Sequence, residues 1–456
     1  MQKERSSLKS TLAVSLTNYL DAGAIVAGAS GLTLWKEYLG LTEGHLGLLN
    51  AISANCLGAA IGAIIGGFLA DRYGRKAIYT YNMLVYMLGV ALIVLATNFP
   101  MLLAGFFVTG ISVGVGVPAS WTYISERSEA RNRGRNIGIS QMAWGIGPLI
   151  ILLLGTLLAP PTGEQEAGGL LFGVVERWVN RFAGHAISDQ ALRVLGSRII
   201  FASLFVVACI AWLLQRRLEE SAEWQAVQAE QQTHKQPSGA FASFGSLFTH
   251  RVNIRSMLFL AGIYLTWNLV CSVMGFFQPH IYETAGGLSN EQANLLAAGQ
   301  WLVIILVTFG FSLLVDRVNQ RWLYAVGVGF GVLAWLLVIT VGIASSRWLL
   351  LFTLLWGIQA GISVQSFYAL WASELFPAKY RAAAQGVLFF VVRGLSALWG
   401  VLFVYIYGEQ GEGFALAAAI MLGFFVISWL IGTIWTPQTR GKTLEQITAE
   451  RYGKIP

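Results

Sequence analysis

The sequence predicts an all-α membrane protein of twelve transmembrane helices arranged as two pseudo-symmetric six-helix bundles. Three observations carry that prediction. The 456 residues are 55% hydrophobic and only 12% charged, against roughly 25% charged in an average soluble protein. The apolar residues fall into twelve long continuous runs. The polar segments between the runs repeat themselves about halfway along the chain. A soluble core stops growing near ~250–300 residues, so a soluble enzyme, a disordered chain and a disulfide scaffold are excluded.

A helix crossing the ~30 Å hydrocarbon core needs about 20 mostly apolar residues. The runs that supply them are 11–35, 45–70, 77–97, 101–124, 136–159, 198–215, 256–282, 292–315, 322–344, 347–372, 383–407 and 413–435. A transmembrane β-barrel would show alternating segments of about 10 residues instead. The first run follows Lys3, Arg5 and Lys9. It is too long for a signal-peptide core and no small-residue cleavage site ends it, so it reads as a true helix. The glycines from Gly58 to Gly67 lie inside the second run. They are helix-packing residues, not a phosphate loop. Between the fifth and sixth runs, an insertion over 160–197 has helical spacing at Leu170, Leu171, Val174, Val175 and Trp178. It reads as an amphipathic helix on the membrane surface.

Basic residues set the orientation. With the N-terminus inside, 23 of the 30 Lys and Arg fall in inner segments and six in outer ones, leaving Arg393 within a span. Both termini are therefore expected in the cytoplasm, in a multi-pass protein of the cytoplasmic membrane. The net charge of +7 sits in short loops between apolar runs, so it implies no nucleic acid. Cys56, Cys209 and Cys271 lie in apolar runs and read as buried thiols. The five histidines have no metal spacing, and no Walker lysine stands in a phosphate loop. No metal, cofactor or enzymatic activity is expected.

Asp71 and Asp316 are 245 residues apart; Glu126 and Glu374, and Arg133 and Arg381, are each 248 apart. One six-helix unit is written twice. This divides the chain into a bundle over 1–215, a cytoplasmic linker over 216–255, a second bundle over 256–435 and a tail over 436–456. Such repeats mark secondary transporters, with the solute bound at the midplane between them.

The segment Gly67-Phe-Leu-Ala-Asp71-Arg72-Tyr-Gly74-Arg75-Lys76 resembles the loop 2–3 motif of the major facilitator superfamily. Glu126…Arg133-Gly134, Glu374-Leu-Phe-Pro377…Arg381, Glu220-Ser221…Trp224 and Pro437-Gln-Thr-Arg-Gly441…Glu445 resemble the loop boxes of its sugar porter family. The resemblance covers nearly the whole chain. It implies alternating-access transport of a small polar solute, foremost a sugar or a polyol such as inositol, by proton symport. It also implies that Asp21 is the proton carrier and that Gln141 is a sugar-binding amide on the fifth helix. The sequence departs from the family at Phe106, where an arginine partner for Asp21 is usual. Arg393-Gly394 is closer to metabolite and aromatic-acid symporters, and makes a small organic acid bound at Arg393 the alternative solute.

Two ionisable residues lie deep in spans, Asp21 and Arg393, each about ten residues in. Such a charge costs at least ~2.5–3.5 kcal/mol on insertion scales and marks a functional position. Burial favours a neutral carboxyl and a nearby cation favours a charged one, so Asp21 can gain and lose a proton. Three roles are open to Arg393: bidentate binding of a solute carboxylate, pairing with Asp21, or satisfaction by backbone carbonyls. Polyols are held by amides, hydroxyls and flat rings. The candidates at mid-span depth are Gln141 and Trp144 on the fifth helix and Trp267, Asn268 and Gln278 on the seventh. Further on come Gln300 on the eighth helix, with Trp301 beside it, Gln359, Gln365 and Tyr368 on the tenth, and Trp399 with Arg393 on the eleventh. A cytoplasmic gate is expected from Asp71, Arg72, Arg75, Glu126, Arg133 and Glu220 in the first half. Asp316, Arg317, Glu374 and Arg381 answer them in the second. The partners implied are the solute, protons and membrane lipid, around a monomer.

Overall fold

The computed structural model describes residues 2–54, 56–127, 133–161, 168–183, 188–216, 220, 247–343, 345–362, 364–408 and 411–453. The first half comprises α1 (Gln2–Ser30), α2 (Leu32–Leu39), α3 (Glu43–Ile52), α4 (Leu57–Tyr73), α5 (Arg75–Val94), α6 (Phe99–Arg127) and α7 (Arg133–Leu157). Two short helices, α8 (Phe172–Ala183) and α9 (Asp189–Arg193), precede α10 (Leu195–Gln215). The second half comprises α11 (Arg251–Thr284), α12 (Asn290–Leu314), α13 (Gln320–Val341), α14 (Ser346–Gly361), α15 (Val364–Glu374), α16 (Ala378–Tyr407) and α17 (Phe414–Ile434). The short α18 (Leu444–Tyr452) follows. Eleven stretches of the described residues are long and apolar enough to cross a membrane, with α3–α4 and α14–α15 each counting as one. α1 is the twelfth long helix, its apolar run diluted by Asn18 and Asp21. Most of the linker 216–255 lies outside the described residues. The face where α1 begins and α18 sits is the tail face below; the opposite one is the far face.

Three spans that read as continuous in sequence are broken. The run 11–35 stops at Gly31, against which the Ser197 side chain packs. The freed carbonyl of Ser30 accepts amide N–H groups from Asn290 and Asn294 of α12, each at 3.3 Å. The run 45–70 breaks after Ile52, where the Ser53 hydroxyl donates back to the Asn50 carbonyl at 2.8 Å. The run 347–372 breaks after Gly361, whose carbonyl accepts the Thr308 hydroxyl at 3.2 Å. In each case a neighbouring side chain satisfies a carbonyl that water would otherwise have to reach. Irregular backbone is tolerated at membrane depth only on that condition.

Within the first half, α4 and α6 meet along small residues. A Cβ added at Gly62 would overlap the Ile111 carbonyl, and one at Gly114 the Ala59 carbonyl. Small residues at such crossings let backbones approach. Gly114→Val is therefore expected to destabilise the bundle by about 1–3 kcal/mol through overpacking. A lowered unfolding midpoint in detergent checks this, with Gly173→Ala, where the space is open, unchanged. Between the halves, α12 runs along α7, α16 along α3 and α4, and α1 against α11.

Candidate solute-binding cavity

A cavity of about 110 Å³ lies where the halves meet. A buried water needs ~10–15 Å³ by the same measure, so the space suits several waters or one small solute. Each helix contributes one stripe at helical spacing. α1 gives Ala22, Ile25 and Val26, and α7 gives Gln141, Trp144 and Gly145. α11 gives Trp267, Asn268, Cys271, Met274, Gly275 and Gln278, and α12 gives Gln300, Trp301, Ile304 and Thr308. Trp356 and Ala360 come from α14, Gln365 and Ser366 from α15, and Arg393 from α16. The break after Gly361 is what turns Gln365 and Ser366 toward the space.

The amides are organised in two ways. Gln365 Nε2 donates to Gln141 Oε1 at 3.2 Å, joining the two halves across the cavity. Gln278 and Gln300 bond each other, with Gln278 Nε2 donating to Gln300 Oε1 and to the Tyr282 hydroxyl, both at 2.7 Å. That hydroxyl lies 3.3 Å from Thr353 Oγ1, so this pair is fixed from behind. Asn268 Nδ2 donates to Ser396 Oγ at 2.8 Å. Among the described residues, Gln141 Nε2 and Trp267 Nε1 are buried with no hydrogen-bond partner. A buried donor without a partner is uncommon in native proteins, and here both lie on the wall of a cavity.

Arg393 is the only charged side chain on the described wall. It is buried, and its guanidinium carbon lies 4.9 Å from the centroid of the Phe389 ring. Tyr264, Tyr368 and the Cys271 thiol surround it. On its tail side an aromatic group crosses the boundary between halves. Tyr264 and Tyr368 stack at 4.0 Å, and Trp121 of the first half lies 6.0 Å from Tyr368 and 6.3 Å from Phe389. A second group crosses on the far side, where Phe106 meets Phe276 at 6.4 Å.

Asp21 does not pair with Arg393. It is fully buried, and neither carboxylate oxygen has a hydrogen-bond partner among the described residues. It points within the first half toward Gly116 of α6, where a Cβ would stand 3.3 Å from Oδ2, close to Thr17 and Asn82. Polar groups around this chamber are already engaged. Gln215 Nε2 donates to Thr17 Oγ1 at 2.7 Å, Ser120 Oγ to Asn18 Oδ1 at 3.1 Å, and the Tyr86 hydroxyl to the Leu20 carbonyl at 2.9 Å. Phe106 meets α1 at Gly28, seven residues from Asp21, and packs edge-on against Phe201 at 5.9 Å. The next residue after Asp21, Ala22, is on the cavity wall.

Three of the expected binding residues stand off the cavity wall. Gln359 is buried with its Cγ against Gly331 of α13. Tyr368 belongs to the aromatic group under Arg393, and Trp399 packs edge-on to Phe424 at 5.2 Å. Conversely, Thr308, Trp356 and Ser366 line the cavity without having stood out in the sequence. Thr308 was reachable, being two turns from Gln300 on the same stripe.

Of the gate residues, the side chains of Asp71, Arg72, Arg75, Glu126 and Arg133 lie outside the described residues. Asp316 Oδ2 accepts the Arg135 backbone N–H at 3.1 Å, so a carboxylate of the second half sits at the N-terminus of α7. Glu220 does the same for α5 through the Lys76 N–H, also at 3.1 Å. Negative charge is favoured at helix N-termini. The Arg317 carbonyl accepts Arg440 Nη1 at 3.0 Å, while Glu374 and Arg381 are buried at the turn between α15 and α16. The far face has its own crossing, unforeseen from sequence: Thr33 Oγ1 lies 3.3 Å from His280 Nδ1.

The family model of the Major Facilitator Superfamily matches residues 11–401. The chain is 41% identical over 451 residues to the minor myo-inositol transporter IolF of Bacillus subtilis, covering 98% of this chain and 94% of that protein. It is 25% identical over 451 residues to a probable quinate permease of Aspergillus flavus, covering 87% and 78%. Among solved structures, the proton:xylose symporter XylE bound to 6-bromo-6-deoxy-D-glucose superposes with a TM-score of 0.70 at 20% identity, covering 98% of this chain and 99% of that one. The family model, which spans most of the chain, and the 41%-identical relative agree with the architecture and the duplicated halves: the chain belongs to the Major Facilitator Superfamily.

Proposed function

We propose that this chain carries a small neutral polyol, of the myo-inositol type, across the cytoplasmic membrane by alternating access coupled to protons. The observation that carries the reading is the cavity itself, with amides of both halves facing each other and the unmet donors Gln141 Nε2 and Trp267 Nε1 on its wall. A polyol offers many hydroxyl acceptors and apolar ring faces, which match amide donors among Trp144, Trp267, Trp301 and Trp356. The relative named for myo-inositol, at 41% identity, supports the same class. Asp21 is the proton site: a carboxylate without a partner at that depth costs several kcal/mol to keep charged, and a proton removes the cost. The tail face is cytoplasmic and the protein works as a monomer. Asp316, Glu220 and their partners hold that face closed, and separate when it opens. Uptake of labelled myo-inositol into proteoliposomes tests the reading. Saturable uptake, stimulated by an alkaline interior, is expected; background uptake with or without the gradient overturns it.

A second reading has a specific observation behind it. Arg393 faces the cavity with no acidic side chain on the described wall, as a site for a small organic acid would require. The two readings differ in the effect of Arg393→Gln. An acid held by a charge-assisted pair loses more than 100-fold in affinity, whereas a polyol loses about tenfold, one ordinary hydrogen bond. Competition of unlabelled inositol and quinate against bound label measures both.

A further inference from the structure

We infer that α8 is a lipid anchor, seated in the headgroup region of the leaflet at the far face and holding anionic phospholipid through Arg177 and Arg181. Its inner side is docked, with Phe172 buried and Val175 packed on the core. The other side carries Leu170, Leu171, Val174 and Trp178, with Leu170 86% and Trp178 65% exposed. Val174 and Trp178 share one stripe of α8 at helical spacing, Leu170 and Leu171 stand in the turn that leads into it, and Arg177 and Arg181 are exposed on the flank of that stripe. The Arg177 Nε bonds the Gly173 carbonyl at 3.0 Å, which leaves its terminal nitrogens for an external acceptor.

The occupant follows from continuity with the lipid-facing surface. On α7, Ile146, Ile150 and Leu153 are exposed at successive turns and climb toward Leu157. The Leu171 N–H donates to the Leu157 carbonyl at 2.9 Å, and the Gly169 N–H to the Ala159 carbonyl at 2.9 Å. The apolar stripe of α8 therefore begins where the lipid-facing stripe of α7 ends, at the level of the headgroups. An amphipathic helix with basic residues beside its apolar stripe lies in that interface, bound by apolar burial and by attraction to anionic lipid.

The full chain is reconstituted in vesicles of phosphatidylethanolamine and phosphatidylglycerol, with Trp178→Cys labelled by an environment-sensitive fluorophore after Cys56, Cys209 and Cys271 are replaced by Ala. Blue-shifted emission is expected, quenched about twofold or more by lipids with a shallow spin label and less by lipids with a deep one. Arg177→Gln with Arg181→Gln is expected to weaken that quenching in the mixed vesicles but not in phosphatidylethanolamine with phosphatidylcholine. Should the cysteine replacements prevent folding, the difference in brominated-lipid quenching between the native chain and Trp178→Phe gives the same readout. Water-like, unquenched emission overturns the inference. So does burial that lipid does not quench and that depends on protein concentration, since that marks a second copy as the occupant.

Discussion

Asp21→Asn abolishes gradient-driven accumulation while leaving exchange of solute across the membrane intact. An asparagine fits the chamber beside Gly116, Thr17 and Asn82, so the bundle is expected to fold. What it loses, on the proposed reading, is a carboxyl group that can gain and release a proton. A pH difference of two units is worth roughly 2.7 kcal/mol per proton, or about 100-fold accumulation for one-to-one coupling. In the variant the accumulation ratio falls to about 1, and counterflow of labelled against unlabelled solute stays within about threefold of the native rate. If accumulation persists, the proton is carried elsewhere and the assignment of Asp21 fails.

The second large effect is at the amide bridge. Gln141 and Gln365 are the pair that joins α7 to α15 across the cavity. On the proposed reading a bound solute replaces that bond with bonds of its own, so each glutamine contributes in the loaded state. Gln141→Ala and Gln365→Ala are each expected to raise the half-saturating solute concentration about 10- to 100-fold, the cost of one or two hydrogen bonds left unmade in a buried site. The two losses are coupled, because the residues meet the same ligand, so the double variant falls short of the product of the single effects. Uptake kinetics of the three variants check this. Strict additivity would place the two glutamines on separate ligands, or on none.

The fold was legible in the sequence because lipid leaves little freedom. Runs of about 20 apolar residues must be helices, and the repeat of Asp71 at Asp316 and Arg133 at Arg381 fixes two equivalent halves. The helix breaks were not legible, since hydrophobicity continues through Gly31, Ser53 and Ile362. The breaks depend on partners far away in the chain, such as Asn290 and Asn294 for the Ser30 carbonyl. That is also why the tenth helix misled. A continuous helix would set Trp356 and Gln365, nine residues apart, on opposite faces, but both line the cavity because the interruption after Gly361 lets α15 take its own rotation. Gln365 consequently faces the cavity while Gln359 packs on Gly331. The same limit applies to Asp21 and Arg393. Depth along a helix is readable from a run of residues, whereas the direction a side chain takes is set by the neighbours it packs on. Asp21 turns into its own half, and Arg393 turns toward the cavity.

Distances across the two faces test the central claim most directly. Spin labels at Tyr73 and Ala449 report the tail face, and labels at Thr97 and Glu291 the far face; all four positions are exposed. Paired measurements with and without solute, at two pH values, are expected to show one distance shortening as the other lengthens. Distances that stay fixed, or that widen together, would contradict a bundle that rocks about its central cavity.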